Sequence, residues 1–332
     1  MKKVLILALS ALLVFVAGSL WLALYPSVPA DLGGVESVEA HGHRVAIAVG
    51  EDDQLYAWAE AGTRKALVVL FPGYARDHRR MSRYAQFLHK AGYATLAVQF
   101  RSSRGKDRKP TTLGYWELLD ARAVLAWVAS QPRYAGYRVA LYGESLGGSV
   151  ALVVASEHPE VAAVVADCPF ANGRLAIEDG LESVYHLPRW PLTDLAILLG
   201  RVFTGHDPSA LDPAHALTQL GERPVLLIQG AVEDRFSLRQ VRRLESAAGP
   251  GVESWVLMDT GHNGGWPRHR KDYELRVRSF LAPIFRGVGP APPEPAWSEE
   301  DGLIGKGTRA LRSGARKVGE MVKGAIQNGD DK

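Results

Sequence analysis

Four residues stand in an order that could run acyl-transfer chemistry: Ser145, the adjacent carboxylates Glu233 and Asp234, and His262. A serine hydroxyl is a weak nucleophile until a base within hydrogen-bond reach takes its proton. A histidine base works best when a carboxylate fixes its tautomer and stabilises the imidazolium. Ser145 sits in Gly143-Glu144-Ser145-Leu146-Gly147, between a short apolar run at 139–142 and a second at 150–155. The first run reads as a buried strand and the second as a helix. Strand, sharp turn with serine at its apex, then helix is the arrangement called a nucleophile elbow. Gly143 and Gly147 would let the two elements pass without a Cβ clash, and the helix start would aim backbone N–H groups at whatever Ser145 attacks.

The carboxylates follow the apolar run 225–228, in Gly230-Ala231-Val232-Glu233-Asp234, and the histidine follows the run 254–257, in Gly261-His262. Serine, acid, histidine is the chain order such an elbow requires. Asp167, also just after an apolar run, could serve as the acid instead but reads as structural, hydrogen-bonding near the lid.

Eight segments read as the strands that must position these groups: 44–49, 55–59, 66–71, 94–98, 139–142, 161–166, 225–228 and 254–257. The run 66–71 is continuously apolar, as expected of a central parallel strand covered on both faces. Met81, Tyr84, Ala85 and Leu88 recur at helical spacing before Gly92, as do Ala121, Val124, Leu125 and Val128, and residues 273–285 read as a closing helix. Strands alternating with helices give an α/β doubly wound, mostly parallel sheet with helices on both faces. The alternation breaks at about 171–220, which reads as a small helical lid over the strand ends. Its Leu192, Leu195, Ile197, Leu198 and Leu199 could line an acyl pocket or simply pack on the sheet.

Composition narrows the class. With 332 residues, 47% of them hydrophobic, the chain can bury one large core, and a net charge of +3 implies no nucleic-acid partner. One cysteine, Cys168, excludes an internal disulfide and a Cys-rich metal site. The pair His41 and His43 has no supporting ligands nearby and reads as a surface turn, so neither a metal nor another cofactor is expected. Arg101, Arg104, Lys106 and Lys109 read as a solvated basic loop, with an anionic substrate as the alternative. Residues 4–25 are almost wholly apolar behind Lys2 and Lys3, long enough for a membrane-spanning helix. The expectation is an anchor over 1–30 in the cell inner membrane, single-pass, with the catalytic domain on the extracytoplasmic side. The alternative is a signal peptide cleaved near Ala30, giving a secreted or periplasmic protein. A linker follows at 31–43, then the main domain at 44–286. Residues 287–332 form a Pro/Gly-rich linker and a basic tail, either disordered or amphipathic.

The sequence resembles the α/β-hydrolase superfamily, above all its small-lid esterase, thioesterase and peptidase-like members. The resemblance covers about 44–285 and rests on Phe71-Pro72-Gly73-Tyr74, the elbow, Ala166-Asp167-Cys168-Pro169-Phe170, Ile228-Gln229-Gly230-Ala231-Val232-Glu233 and Gly261-His262. It implies the α/β-hydrolase fold, oxyanion donors from the backbone of Tyr74 and Leu146, and no cofactor. Similar members carry His-Gly where this chain has Pro72-Gly73, a departure that leaves backbone donors intact. They place the acid three residues after the glycine, which here is Glu233; Asp234 stands one residue late, so Glu233 is preferred. The implied activity is a membrane-anchored serine hydrolase cleaving an ester, thioester or amide of a small-molecule or lipid-like acyl substrate. The alternative is a non-catalytic binding or scaffold protein using the same pocket.

Overall fold

The computed structural model describes residues 18–19, 21–29, 34–104, 108–183, 185–233 and 235–292. Eight strands form one sheet: β1 (His43–Val49), β2 (Asp53–Glu60), β3 (Ala66–Phe71), β4 (Ala94–Gln99), β5 (Arg138–Glu144), β6 (Val161–Asp167), β7 (Val225–Gly230) and β8 (Val252–Leu257). Their spatial order is β1-β2-β4-β3-β5-β6-β7-β8. β2 pairs antiparallel with β1 and with β4, and every other pairing is parallel. All six side chains of β3 are buried, so its unbroken apolar run serves two cores at once. Leu67, Val69 and Phe71 face one core with Leu141 and Val164; Val68 and Leu70 face the other with Tyr142 and Val165. That alternation is the period of two of a pleated strand.

Helices cover both faces. On the first lie α2 (Tyr115–Ser130) and α3 (Leu146–Glu157), through Val124, Leu125, Val150 and Leu152; on the second lie α1 (His78–Lys90) and the closing helix α8 (Arg270–Ile284), through Met81, Leu88, Val277 and Leu281. Between β6 and β7 come α4 (Gly173–Ser183), α5 (Leu192–Thr204) and α6 (Pro213–Leu220), and α7 (Leu238–Ala247) precedes β8. Asp212 caps α6 by accepting from the His215 N–H at 3.0 Å, with Pro213 in the first helical position where its missing N–H costs nothing. α6 packs on α3 and puts Leu217 and Leu220 into the first core, whereas α4 and α5 stand off the sheet over the carboxyl ends of the strands.

One expectation is corrected. Among the described residues no helix is long and apolar enough to cross a membrane, which overturns the single-pass placement in the inner membrane with an extracytoplasmic domain. The described end of the apolar run lies on the domain instead. The Leu24 carbonyl accepts the Thr111 N–H at 2.9 Å, the Ala23 carbonyl accepts the Tyr74 hydroxyl at 2.7 Å, and Arg108 donates to the carbonyls of Tyr25 and Pro26. Cleavage near Ala30 would detach this same docked segment. The physical reason for the error is that apolarity and length do not distinguish lipid from an apolar protein groove. Residues 1–17 and the basic tail at 293–332 lie outside the described residues. Residues just before that tail are held to the domain, with the Gly289 carbonyl accepting the Lys65 N–H at 3.0 Å.

The basic loop also differs from its solvated reading. Arg101 is buried and bonds Asp120 and Asp53, and Arg104 and Lys109 converge on the same Asp53. Burial pushes the Asp120 carboxyl up to about 7, against the pull of Arg101. Lys106 lies outside the described residues.

Candidate active site

Ser145 stands between β5 and α3 with φ 53° and ψ −118°, a conformation that costs an L-residue strain and persists only where its surroundings hold it. What holds it is close backbone packing. A Cβ on Gly143 would lie 2.1 Å from the Gly147 carbonyl oxygen, and one on Gly147 would lie 2.2 Å from that of Phe71. The Ser145 N–H donates to the Asp167 carbonyl at 2.7 Å, tying the turn to β6.

The side chains expected to meet do so. Ser145 Oγ lies 2.9 Å from His262 Nε2, and His262 Nδ1 lies 2.9 Å from Glu233 Oε2. The second carboxylate oxygen, Oε1, accepts the Arg235 N–H at 2.8 Å, which fixes the rotamer. Phe236 stands edge-on to the His262 ring, 5.0 Å between centroids. Each group leaves the carboxyl end of a different parallel strand: Ser145 after β5, Glu233 after β7, His262 after β8. Asp234 lies outside the described residues.

Two backbone segments border the serine. Leu146 is the first residue of α3, with its N–H at the helix start. The turn carrying Tyr74 follows β3, and Gly73 passes so close that a Cβ there would touch Ser145 Cβ at 3.3 Å. Behind the serine lies a wholly buried polar cluster. Glu144 accepts Arg80 Nε at 2.9 Å and Nη2 at 2.8 Å, and Tyr84 at 3.1 Å. Asp167 accepts the Tyr273 hydroxyl at 2.7 Å, and Tyr142 bonds Tyr273 in turn. Burial alone would raise the Glu144 carboxyl, but the Arg80 guanidinium holds it below the usual range. Asp167 lacks such a cation, and burial, helped by the Glu144 charge, pushes it up to about 6. Asp167 thus bonds the closing helix rather than the lid, and Arg80, 64 residues from Glu144 in the chain, carries no local signal of its partner.

In front of the serine opens a cavity of about 560 Å³. Leu146, Phe170, Leu181, Leu192, Leu195 and Leu199 form apolar walls, and Ala23 and Leu24 of the N-terminal segment close one side. Of the other apolar lid residues, Leu198 is exposed and Ile197 is buried, and neither lines the cavity. Among the described lining residues the one carboxylate is Glu144, already neutralised by Arg80. No sequence signal announced the N-terminal contribution. A nucleophile, a base with its orienting carboxylate, and an apolar chamber in one place suit attack on an acyl carbon.

Comparison with known proteins agrees with that chemistry. Residues 50–264 match the family described as X-Pro dipeptidyl-peptidase (S15 family). The Bacillus subtilis protein YqkD is 25% identical over 249 residues, 74% of this chain and 80% of its own length. Dipeptidyl aminopeptidase BIII of Pseudoxanthomonas mexicana is 29% identical over 238 residues, 67% of this chain but 33% of that enzyme. Among solved structures, the Pyrococcus furiosus esterase Pf2001 superposes with a TM-score of 0.63 at 24% identity, over 78% of this chain and 97% of its own. That likeness is one of fold, the α/β-hydrolase fold.

Proposed function

Because this chain belongs to the X-Pro dipeptidyl-peptidase (S15) family and is a serine hydrolase of esterase or peptidase type, we propose that it cleaves esters or thioesters of apolar acyl groups through an acyl-enzyme on Ser145. The observation that carries this reading is the hydrogen-bonded series Ser145 Oγ, His262 Nε2, His262 Nδ1, Glu233 Oε2, with 2.9 Å at each link between side chains, opening on an apolar cavity.

In this reading His262 Nε2 takes the Ser145 proton as Oγ attacks the acyl carbon. Glu233 holds the proton on Nδ1, so that Nε2 is the free base, and stabilises the imidazolium that forms. The backbone N–H groups of Tyr74 and Leu146 receive the developing oxyanion. His262 then protonates the leaving oxygen or sulfur, activates water against the acyl-enzyme and restores Ser145. An amide would follow the same steps.

The cavity supports an acyl group over a peptide N-terminus. A free ammonium needs a carboxylate in a partly buried site. The described lining offers only Glu144, which Arg80 already occupies. The domain that does this work is proposed to run from 44 to 286, with the lid at 171–220.

The test is a panel of p-nitrophenyl esters of rising chain length, acyl-coenzyme A thioesters and X-Pro p-nitroanilides, assayed on wild type and Ser145→Ala. Medium-chain esters should be the best substrates. Ser145→Ala should lose turnover and fluorophosphonate labelling. Faster cleavage of an X-Pro anilide than of every ester would overturn the acyl reading, and equal labelling of both proteins would remove Ser145 from its role.

A further inference from the structure

Cys168 has no part in the chemistry above, yet it lies against it. It follows β6 directly, is buried, and holds φ 50°, a left-handed conformation that turns it toward the histidine loop, where the Asn263 N–H donates to its Sγ at 3.3 Å. One ligand atom each from Cys168, Glu233 and His262 lie within 4.8 Å of one another. These are a thiol, a carboxylate and an imidazole, the donor types that zinc prefers. With Zn–N and Zn–O near ~2.0 Å and Zn–S near ~2.3 Å, neighbouring ligands of a tetrahedral site stand about 3.3–3.7 Å apart. The His262 Nδ1–Glu233 Oε2 pair, at 2.9 Å, would therefore open by ~0.4 Å, and the pairs with Cys168 Sγ would close by up to roughly 1.3 Å.

We infer that Cys168, Glu233 and His262 form an inhibitory site for a thiophilic divalent cation such as Zn²⁺. Glu233 lies on the Nδ1 side of the ring, so a cation shared with it takes Nδ1. The proton balance explains the inhibition. Metal displaces the thiol proton to solvent, and as Nδ1 takes the cation the ring's single proton moves from Nδ1 to Nε2, so one proton is released in all. The neutral ring then carries its proton on Nε2, the nitrogen that faces Ser145 Oγ. Nε2 becomes a donor and can no longer accept the serine proton. Hard cations that prefer all-oxygen ligands, such as Mg²⁺, are not held by this set.

The experiment uses the full chain, dialysed against chelator. Zn²⁺ should inhibit ester hydrolysis reversibly, with EDTA restoring it, and Mg²⁺ at the same concentration should not. Cys168→Ser and Cys168→Ala should keep metal-free hydrolysis and raise the half-inhibiting zinc concentration by at least the roughly tenfold that losing even an outer partner of a metal site costs. Co²⁺ in place of Zn²⁺ should give wild type a sulfur-to-metal charge-transfer band that both variants lack. The band needs no turnover, so it reads the site even if every ester proves a non-substrate. Equal zinc sensitivity in all three proteins, or no band in wild type, overturns the inference.

Discussion

Two carboxylate clusters flank Ser145, and they differ in what their neighbours allow. In front, Glu233 faces a histidine, and the pair keeps some contact with solvent; behind, Asp167 and Glu144 are buried among Arg80 and three tyrosines, Glu144 reaching the cavity lining only together with Arg80. The front cluster is built so that a proton can move along it. In the rear cluster a guanidinium fixes one carboxylate as an anion and burial raises the other, so neither is placed to exchange protons with a substrate. Identical functional groups thus stand hydrogen-bonded to a histidine on one side of the strained serine and buried among an arginine and tyrosines on the other.

Exchanging charge for a neutral isostere at each site should separate the two. Glu233→Gln should lower kcat by about 10³–10⁴ with little change in Tm, because it spoils the histidine tautomer without leaving a deeply buried charge. Asp234→Asn is its control, and a larger loss there would move the acid by one residue. Glu144→Gln should show the opposite pattern. It removes the buried carboxylate that the Arg80 guanidinium pairs with and should cost about 3–5 kcal/mol of stability, read by urea denaturation.

A smaller effect sharpens the contrast through pH. The Asp167 carboxyl is raised from 3.8 to about 6, so between those values the folded state binds more protons than the unfolded one, and its contribution to stability falls as pH rises through that window. Asp167→Asn removes this penalty. Relative to wild type it should be more stable at pH 7.5 than at pH 4 by on the order of 2–3 kcal/mol. A pH-independent difference would mean that Asp167 is ionised throughout. Smallest of all, Tyr74→Phe deletes the bond to the Ala23 carbonyl. It should cost about 1 kcal/mol and shift ester chain-length preference more than kcat on a short ester, because it frees one wall of the cavity.

Much of this was legible because it is local. Continuous apolar runs such as 66–71 mark buried parallel strands whatever surrounds them, and in an open α/β sheet the loops after such strands face one site. That logic singled out Ser145, Glu233, Asp234 and His262 without any view of their contacts. Helix 238–247 escaped because only Gln240 and Leu244 are buried on it, and helix 213–220, read as part of the lid, puts Leu217 and Leu220 into the first core. Long-range partnership escaped too. Arg101 looks like loop charge until Asp120, 19 residues on, and Asp53, 48 residues back, close around it. The apolar segment before residue 26 failed for a related reason, since its partners Tyr74, Arg108 and Thr111 are remote in the chain.

That remoteness has a consequence for synthesis. Ala23 leaves the ribosome 51 residues ahead of Tyr74, and Arg108 trails Tyr25 by 83. At about 5–20 residues per second, the segment waits roughly 4–17 seconds as uncovered apolar chain before its dock is even polymerised. The sheet that braces the dock is completed only when β8 arrives, more than a hundred residues later still. A stretch that ends as one wall of a substrate chamber therefore begins as a client for whatever shields nascent apolar chains.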